Sequence, residues 1–352
     1  MKQYLIPSTG QFYKANMHTH STVSDGHLTP QEVKELYKTN GYSVVAFTDH
    51  NIIKPHSDLN DEDFLTITGV ELNTEYLVAQ PISFSEMPTY HLNFYSRDPE
   101  VTTYPGASLY YIYPAHRDRV DEKEYNSKYI RRYGPDGQND MIAMMRKEGY
   151  LNSYNHPAWS LQSYPDYAGL EGICAVEVFN STCQCDGYDL DASDHVLQDL
   201  LKLGKRVYPV ASDDIHNRRE ACRGWIMVKA PALEYQAFLD AYERGDFYAS
   251  WGPEIHDLWI EGGVLHVDCS EVQSIAIVTE RRFTARRRAT EDAPLTSAEF
   301  DLKHYFDEVH RGQYDKRAFV RLVLIDQDGN KAMTRGYFAD ELTLAARGLS
   351  ED

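Results

Sequence analysis

The sequence predicts a two-part α/β protein. A parallel, barrel-like α/β domain is expected over residues 1–251, a small antiparallel, β-sandwich-like domain over 252–343, and a frayed tail over 344–352. Three observations carry this reading. Strand-like and helix-like segments alternate through the first two-thirds, as a parallel sheet with crossover helices requires. From about Trp251 the pattern changes to strands and turns. Groups of His, Asp and Glu recur at strand ends, where parallel α/β folds place their sites.

The first element is Ala15–His18, leading out of a polar N-terminus. Thr29-Pro30-Gln31-Glu32 then reads as a helix start, with Thr as cap, Pro at the first helical position and Glu closing a capping box. This helix stops at Asn40-Gly41. Val44–Thr48, Phe64–Val70 and His91–Tyr95 are short buried strands. Asp140–Lys147 reads as helix, Tyr150–Tyr154 and Val176–Phe179 as strands, Ser193–Leu203 as helix, Arg206–Ala211 as strand and Leu233–Arg244 as helix. Beyond residue 252, Val264–Val267, Ser274–Thr279 and Ala318–Ile325 read as strands. Asp328-Gly329 turns the chain into Lys331–Phe338, and no long helix is expected there. Arg97–Gly137 fits neither scheme. It carries seven tyrosines (Tyr104, Tyr110, Tyr111, Tyr113, Tyr125, Tyr129 and Tyr133). A connection this long marks a lid, a binding loop or an elaboration on the outside.

Composition excludes several classes. The chain has 352 residues, 42% hydrophobic and 25% charged, the balance of a globular protein. It has no apolar run of the roughly 18 residues a membrane helix needs. Met1–Lys14 lacks a basic start followed by an apolar stretch, so a cytoplasmic location is expected. Five scattered cysteines (Cys174, Cys183, Cys185, Cys222, Cys269) do not form a disulfide framework. A formal charge of −19 argues against strong nucleic-acid binding, although bound cations can reverse the field inside one cleft. The basic run Arg281-Arg282 and Arg286-Arg287-Arg288, flanked by Glu280, Glu291 and Asp292, reads as a solvated hairpin.

Six segments concentrate metal-ligand side chains. They are His18-Thr19-His20 with Asp25, Asp49-His50 after an apolar strand, Glu71, His91, His156 in Asn155-His156-Pro157, and Asp214-Ile215-His216. Residues two apart on a strand share a face, so His18 and His20 can grip one ion. Imidazole with carboxylate suits zinc, manganese or iron, and the lack of thiolate argues against a structural zinc of the cysteine type. Nine such groups exceed the needs of one ion, so two or three divalent cations are expected. The remaining histidines, such as His56 and His266, lack that context, as does Cys183-x-Cys185.

These segments, in this order, resemble the motifs of the polymerase-and-histidinol-phosphatase (PHP) family over about residues 14–230. The resemblance implies a distorted (β/α)7 barrel and a metal-dependent phosphoesterase acting on a small phosphorylated substrate. It implies that His18, His20, Glu71 and Asp214 hold one ion, and that Glu71, His91 and His156 hold a second. Asp25, His50 and His216 would surround a third ion or the leaving group. Water activated by the ions would attack phosphorus, and His216 or His50 would protonate the leaving oxygen. Arg218, Arg219 and Arg223 are candidates for gripping phosphate. His27 departs from the motif. Two alternatives stand beside this reading. One is an amidohydrolase-type enzyme cutting a C–N bond. The other is a metal-stabilised scaffold whose β domain binds a glycan or protein, although no residue there marks a binding surface, and Trp251 and Trp259 are expected to pack between the domains. The oligomeric state is not encoded in any motif.

Overall fold

The computed structural model of the chain describes residues 2–76, 83–290 and 293–350. After a short strand β1 (Lys2–Tyr4), seven strands pair in sequence order. They are β2 (Gln11–Asn16), β3 (Val44–Phe47), β4 (Leu65–Glu75), β5 (Thr89–Tyr95), β6 (Leu151–Tyr154), β7 (Ala175–Asn180) and β8 (Tyr208–Ser212). β2 to β4 are parallel, as are β6 to β8, while β5 runs antiparallel to both its neighbours. Strands such as Val44-Val45-Ala46-Phe47 are wholly buried, as apolar runs covered on both faces should be. The helix Pro30–Thr39 packs Val33 and Tyr37 inward, and Thr29 and Glu32 form the capping box.

The sheet differs from the expected closed, parallel barrel. It is mixed and open, and β2 pairs on its far side with antiparallel β9 (Trp225–Ala230), followed by β10 (Phe247–Ser250). Trp225–Ala230 alternates half-buried and buried residues, the pattern of an added antiparallel strand, and it occupies the edge of β2 that closure would need. β2 and β8 do not pair as strands; the parallel bridge Thr19–Ile215 joins them past their ends, with Asp214 N–H donating to the His18 carbonyl at 2.9 Å, His20 N–H to the Ile215 carbonyl at 3.1 Å and Asp213 N–H to Asn16 Oδ1 at 2.9 Å.

The remaining strands are β11 (Ile255–Glu261), β12 (Val264–Val272), β13 (Ser274–Thr279), β14 (Ala285–Arg288), β15 (Leu295–Asp301), β16 (Phe319–Ile325), β17 (Lys331–Thr334) and β18 (Tyr337–Phe338). All are antiparallel to their partners. β11, β12 and β15 form a four-stranded sheet with β1, so residues 2–4 join this sheet rather than the first. The others continue the large sheet, through β17 on β10. Leu258, Leu265 and Phe300 of one sheet share a core with Ile275, Leu322 and Leu324 of the other.

Two expectations fail here. A helix, Lys303–Arg311, lies over this core through Tyr305, Phe306 and Val309; its few apolar residues in a polar run conceal it. The tail is docked: Leu344–Arg347 is a helical turn capped by Thr343, with Ala346 and Arg347 buried and Arg347 paired with Asp315. Residues 351–352, Glu291 and Asp292 lie outside the described residues. Trp251 stacks on Phe179 of β7 at 4.9 Å, whereas Trp259 stacks on His266 within the four-stranded sheet. Arg321 of β16 is buried and pairs with Asp194 ahead of the helix His195–Lys202. Among the described residues no helix is long and apolar enough to cross a membrane.

Candidate metal centre

Six strands of the large sheet deliver the nine ligand-type residues to one rim. His18 and His20 follow β2, His50 follows β3, Glu71 lies on β4, His156 follows β6, and Asp214 and His216 follow β8. His91 lies near the start of β5 rather than past a strand end. It reaches the same rim because β5 is reversed, which sets His91 opposite Asn73.

Glu71 is the hub. Its Oε1 lies 3.2 Å from His18 Nε2, 3.0 Å from His91 Nδ1 and 3.4 Å from His156 Nε2. Its Oε2 lies 3.2 Å from His20 Nε2 and 3.1 Å from His50 Nδ1. Asp214 Oδ1 lies 3.1 Å from His18 Nε2 and 3.0 Å from His20 Nε2. Asp25 faces His20, His50 and His216 at 3.5, 3.7 and 3.6 Å. Four groups have the spacing to hold an ion: His18, His20, Glu71 and Asp214; His50, Glu71 and His91; His20, Asp25, His50 and His216; and His18, His156 and Glu177. His50 Nδ1 thus lies nearer to Glu71 than His156 Nε2 does, 3.1 against 3.4 Å.

Divalent ions fit this donor set. Among the described residues, His50 Nδ1, Glu71 Oε2 and Asp214 Oδ1 are buried with no well-formed hydrogen bond, an arrangement costly in the absence of a ligand. Donor separations of 3.0–3.2 Å match the edges of a coordination shell with bonds of about 2.1 Å. The charges agree. Burial favours neutral imidazole, yet Asp214, Glu71 and Glu177 push His18 up. Asp214 and Glu71 likewise carry His20 up to about 10 and His156 to about 9. His50 goes the other way, to about 3, because burial and neighbouring imidazoles outweigh its carboxylates. Although burial opposes it, the imidazoles hold the carboxyls of Glu71, Asp25 and Asp214 well below their usual range. Protons and cations compete for such a space.

The supporting residues are ones that sequence reasoning does not assign. Glu177 on β7 accepts from His18 Nδ1 at 2.7 Å, Ser212 Oγ at 2.5 Å and the His156 backbone N–H at 2.9 Å. A lone charge inside the buried run Ala175–Asn180 is the available signal. Asp49 accepts from the backbone N–H and hydroxyl groups of both Ser21 and Ser24, fixing the turn that presents Asp25. Asn51, His156 and Asp214 have φ of +58°, +23° and +55°. Such strain costs about 1–3 kcal/mol per residue and gathers where surrounding structure enforces a functional geometry.

Gly26 closes the Asp25 turn. A Cβ there would lie 2.5 Å from the His20 carbonyl oxygen and 2.7 Å from the Ser21 nitrogen, both backbone atoms. Gly26→Ala is therefore expected to destabilise the protein by about 1–3 kcal/mol and to displace Asp25. Urea denaturation and metal content measure both effects, and a wild-type result in each would refute the account.

The centre opens into a cavity of about 620 Å³. Tyr110, Tyr111, Tyr113, Ile130, Arg117 and Arg131 of the 97–137 segment line it, facing Trp159. Arg219 also lines it, already paired with Asp186 and Glu220. Arg218 and Arg223 are exposed and do not line it, and Arg223 contacts Cys185 instead. His27 is exposed and lies outside the centre. All five cysteines are free.

No family model and no curated relative matches the chain. Similar solved structures include a two-domain Bacteroides vulgatus protein containing a predicted PHP-like metal-dependent phosphoesterase. It is 13% identical over 96% of this chain and 90% of that one, with a TM-score of 0.41. A Bifidobacterium adolescentis protein assigned as a metal-dependent phosphoesterase is 15% identical over 60% of this chain and 90% of that one, with a TM-score of 0.35. A Chromobacterium violaceum amidohydrolase with bound sulfate is 18% identical over 57% of this chain and 87% of that one, with a TM-score of 0.32.

Proposed function

We propose that this protein is a metal-dependent phosphoesterase that hydrolyses an ester of a small organic phosphate or nucleotide. One observation supports it above all: a single buried carboxylate, Glu71, within 3.4 Å of five imidazoles. A carboxylate so placed would serve as a ligand shared by adjacent cations. Two or three such ions, zinc, manganese or iron, would acidify a held water and neutralise the phosphoryl oxygens. His18, His20, Glu71 and Asp214 would hold one. Glu71 and His91 would hold a second, with His50 or His156. Asp25 and His216 border a third position or the leaving-group side. We read β2 to β8 as a distorted (β/α)7 barrel whose seam is made by the rim bonds between residues 18–20 and 214–215.

The chain's own residues divide the remaining work. Glu177 orients His18, and Asp49 orients the Asp25 turn. Between the two candidates for the acid, His216 fits better than His50. It is the more exposed (26% against 17%), and Asp25 and Asp214 push it up despite burial and His20, whereas His50 is pushed down. Of two imidazoles, the one whose pKa is pushed up holds its proton more readily and is the better placed to give it to a departing oxygen.

The test is a panel of phosphate mono- and diesters with added manganese or zinc, run on wild type and His20→Ala. Wild type is expected to cleave at least one class, with a drop of about 10²-fold or more in the variant. No cleavage above the variant refutes phosphoester chemistry. Cleavage of amides or lactams instead selects the amidohydrolase alternative.

A further inference from the structure

The 97–137 segment places a buried, unpaired positive charge beside the metal centre. Arg131 is 6% exposed and lines the cavity. Its Nη1 donates to Asn51 Oδ1 at 2.5 Å and to the Asn73 carbonyl at 2.8 Å; its Nη2 donates to the Tyr104 hydroxyl at 3.3 Å. Tyr111 lies against the guanidinium, 3.9 Å from ring centre to Cζ. Each of these partners is neutral, and among the described residues no carboxylate pairs with Arg131. A buried charge without a counter-charge is expensive, and this one occurs in a chain of net charge −19, where carboxylates are abundant. Of its five N–H donors, these contacts use three. Arg117, on the same wall, donates to the Ile112 carbonyl and also has no carboxylate partner among the described residues.

We infer that Arg131 recognises a second anionic group on the substrate, so that the enzyme acts on phosphate esters whose organic part carries a carboxylate or a further phosphate. This deepens the phosphoesterase reading and rests on it. The geometry sets the reach. Arg131 is anchored on Asn73, two residues along β4 from Glu71, a step of roughly 6.6 Å, and on Asn51, the residue after His50. The ester phosphorus sits at the centre, so the second anion lies about one benzene ring away. Tyr110, Tyr111, Tyr113 and Trp159 line the same cavity, and such rings favour a flat or apolar spacer. The guanidinium fork matches carboxylate or phosphate oxygens.

The experiment uses two non-hydrolysable probes, phenylphosphonate and 4-carboxyphenylphosphonate, bound to the manganese-loaded full chain and followed by calorimetry. On wild type the carboxylate is expected to tighten binding roughly 10- to 100-fold, the effect of one charge-assisted contact. In Arg131→Met the ratio of the two constants is expected to collapse towards one, while Arg131→Lys keeps part of it. Equal binding of both probes to wild type overturns the inference without any variant. So does a ratio that survives in Arg131→Met, because an arginine that only pins the segment would shift both constants together. If neither probe binds and no ester is cleaved, the phosphoesterase reading itself has failed.

Discussion

Replacing Glu71 with Gln is expected to empty the centre. Metal content falls from about two or three ions per chain to below one, and ester hydrolysis falls by about 10³-fold or more, beyond the loss from one charge-stabilising donor. The substitution keeps the shape and removes the charge. Both Glu71 oxygens face imidazole nitrogens: Oε1 those of His18, His91 and His156, and Oε2 those of His20 and His50. An amide has one oxygen, so whichever end carries the NH2 turns protons towards nitrogens that must offer lone pairs. The damage reaches every ion that shares this carboxylate. Asn155 Nδ2, which donates to Oε1 at 2.9 Å, favours the amide oxygen at that end and thus the NH2 towards His20 and His50. Elemental analysis of wild type and variant measures the effect. A variant with wild-type metal content would show that Glu71 is not the shared ligand.

Much of this centre is legible in the sequence because each group sits beside a short apolar strand, and strand ends in such a sheet converge. His18-x-His20 exploits the two-residue period of extended chain, whereas Asp214, with φ of +55°, departs from it. The strands are also visible where burial on both faces makes an apolar run, as in Val44–Phe47 and Ala175–Asn180. Direction is not legible. Nothing in Thr89–Tyr95 marks it as reversed, because pairing sense depends on the path of the connections at either end. β9 escapes a reading by pattern because its alternation includes Lys229 and is weaker than a buried run. The sheet edge it covers is a tertiary fact. In the sequence Arg131 is one charge among several in a tyrosine-rich loop. Its significance comes from the absence, among the described residues, of a carboxylate paired with it, which no spacing encodes.

Glu177 is the residue whose role follows most directly from its hydrogen bonds, and Glu177→Gln gives the second large effect. The carboxylate accepts at both ends: from His18 Nδ1 and Ser212 Oγ at one, and from the His156 N–H and Asn180 Nδ2 at the other. By taking the Nδ1 proton it would fix the tautomer of a neutral His18, leaving Nε2 to offer its lone pair to the ion that Glu71 and Asp214 would share. In the variant, the backbone N–H of His156 cannot become an acceptor, and it claims the amide oxygen. The NH2 then faces Ser212, whose hydroxyl can rotate, and His18, whose ring must accept at Nδ1. His18 therefore carries its proton on Nε2, aimed into the centre, and loses the lone pair an ion needs. Manganese or zinc affinity is expected to fall by about 10- to 100-fold, read by competition with a chelator, with the ion shared by His18, His20, Glu71 and Asp214 lost first. Glu177→Ala separates tautomer from packing. It leaves the same donors unpaired, costing about 1–3 kcal/mol for each that stays dry, yet His18 keeps its choice of tautomer. If Glu177→Gln binds metal as tightly as wild type while Glu177→Ala is merely less stable, then Glu177 holds the strands together and does not set the His18 proton.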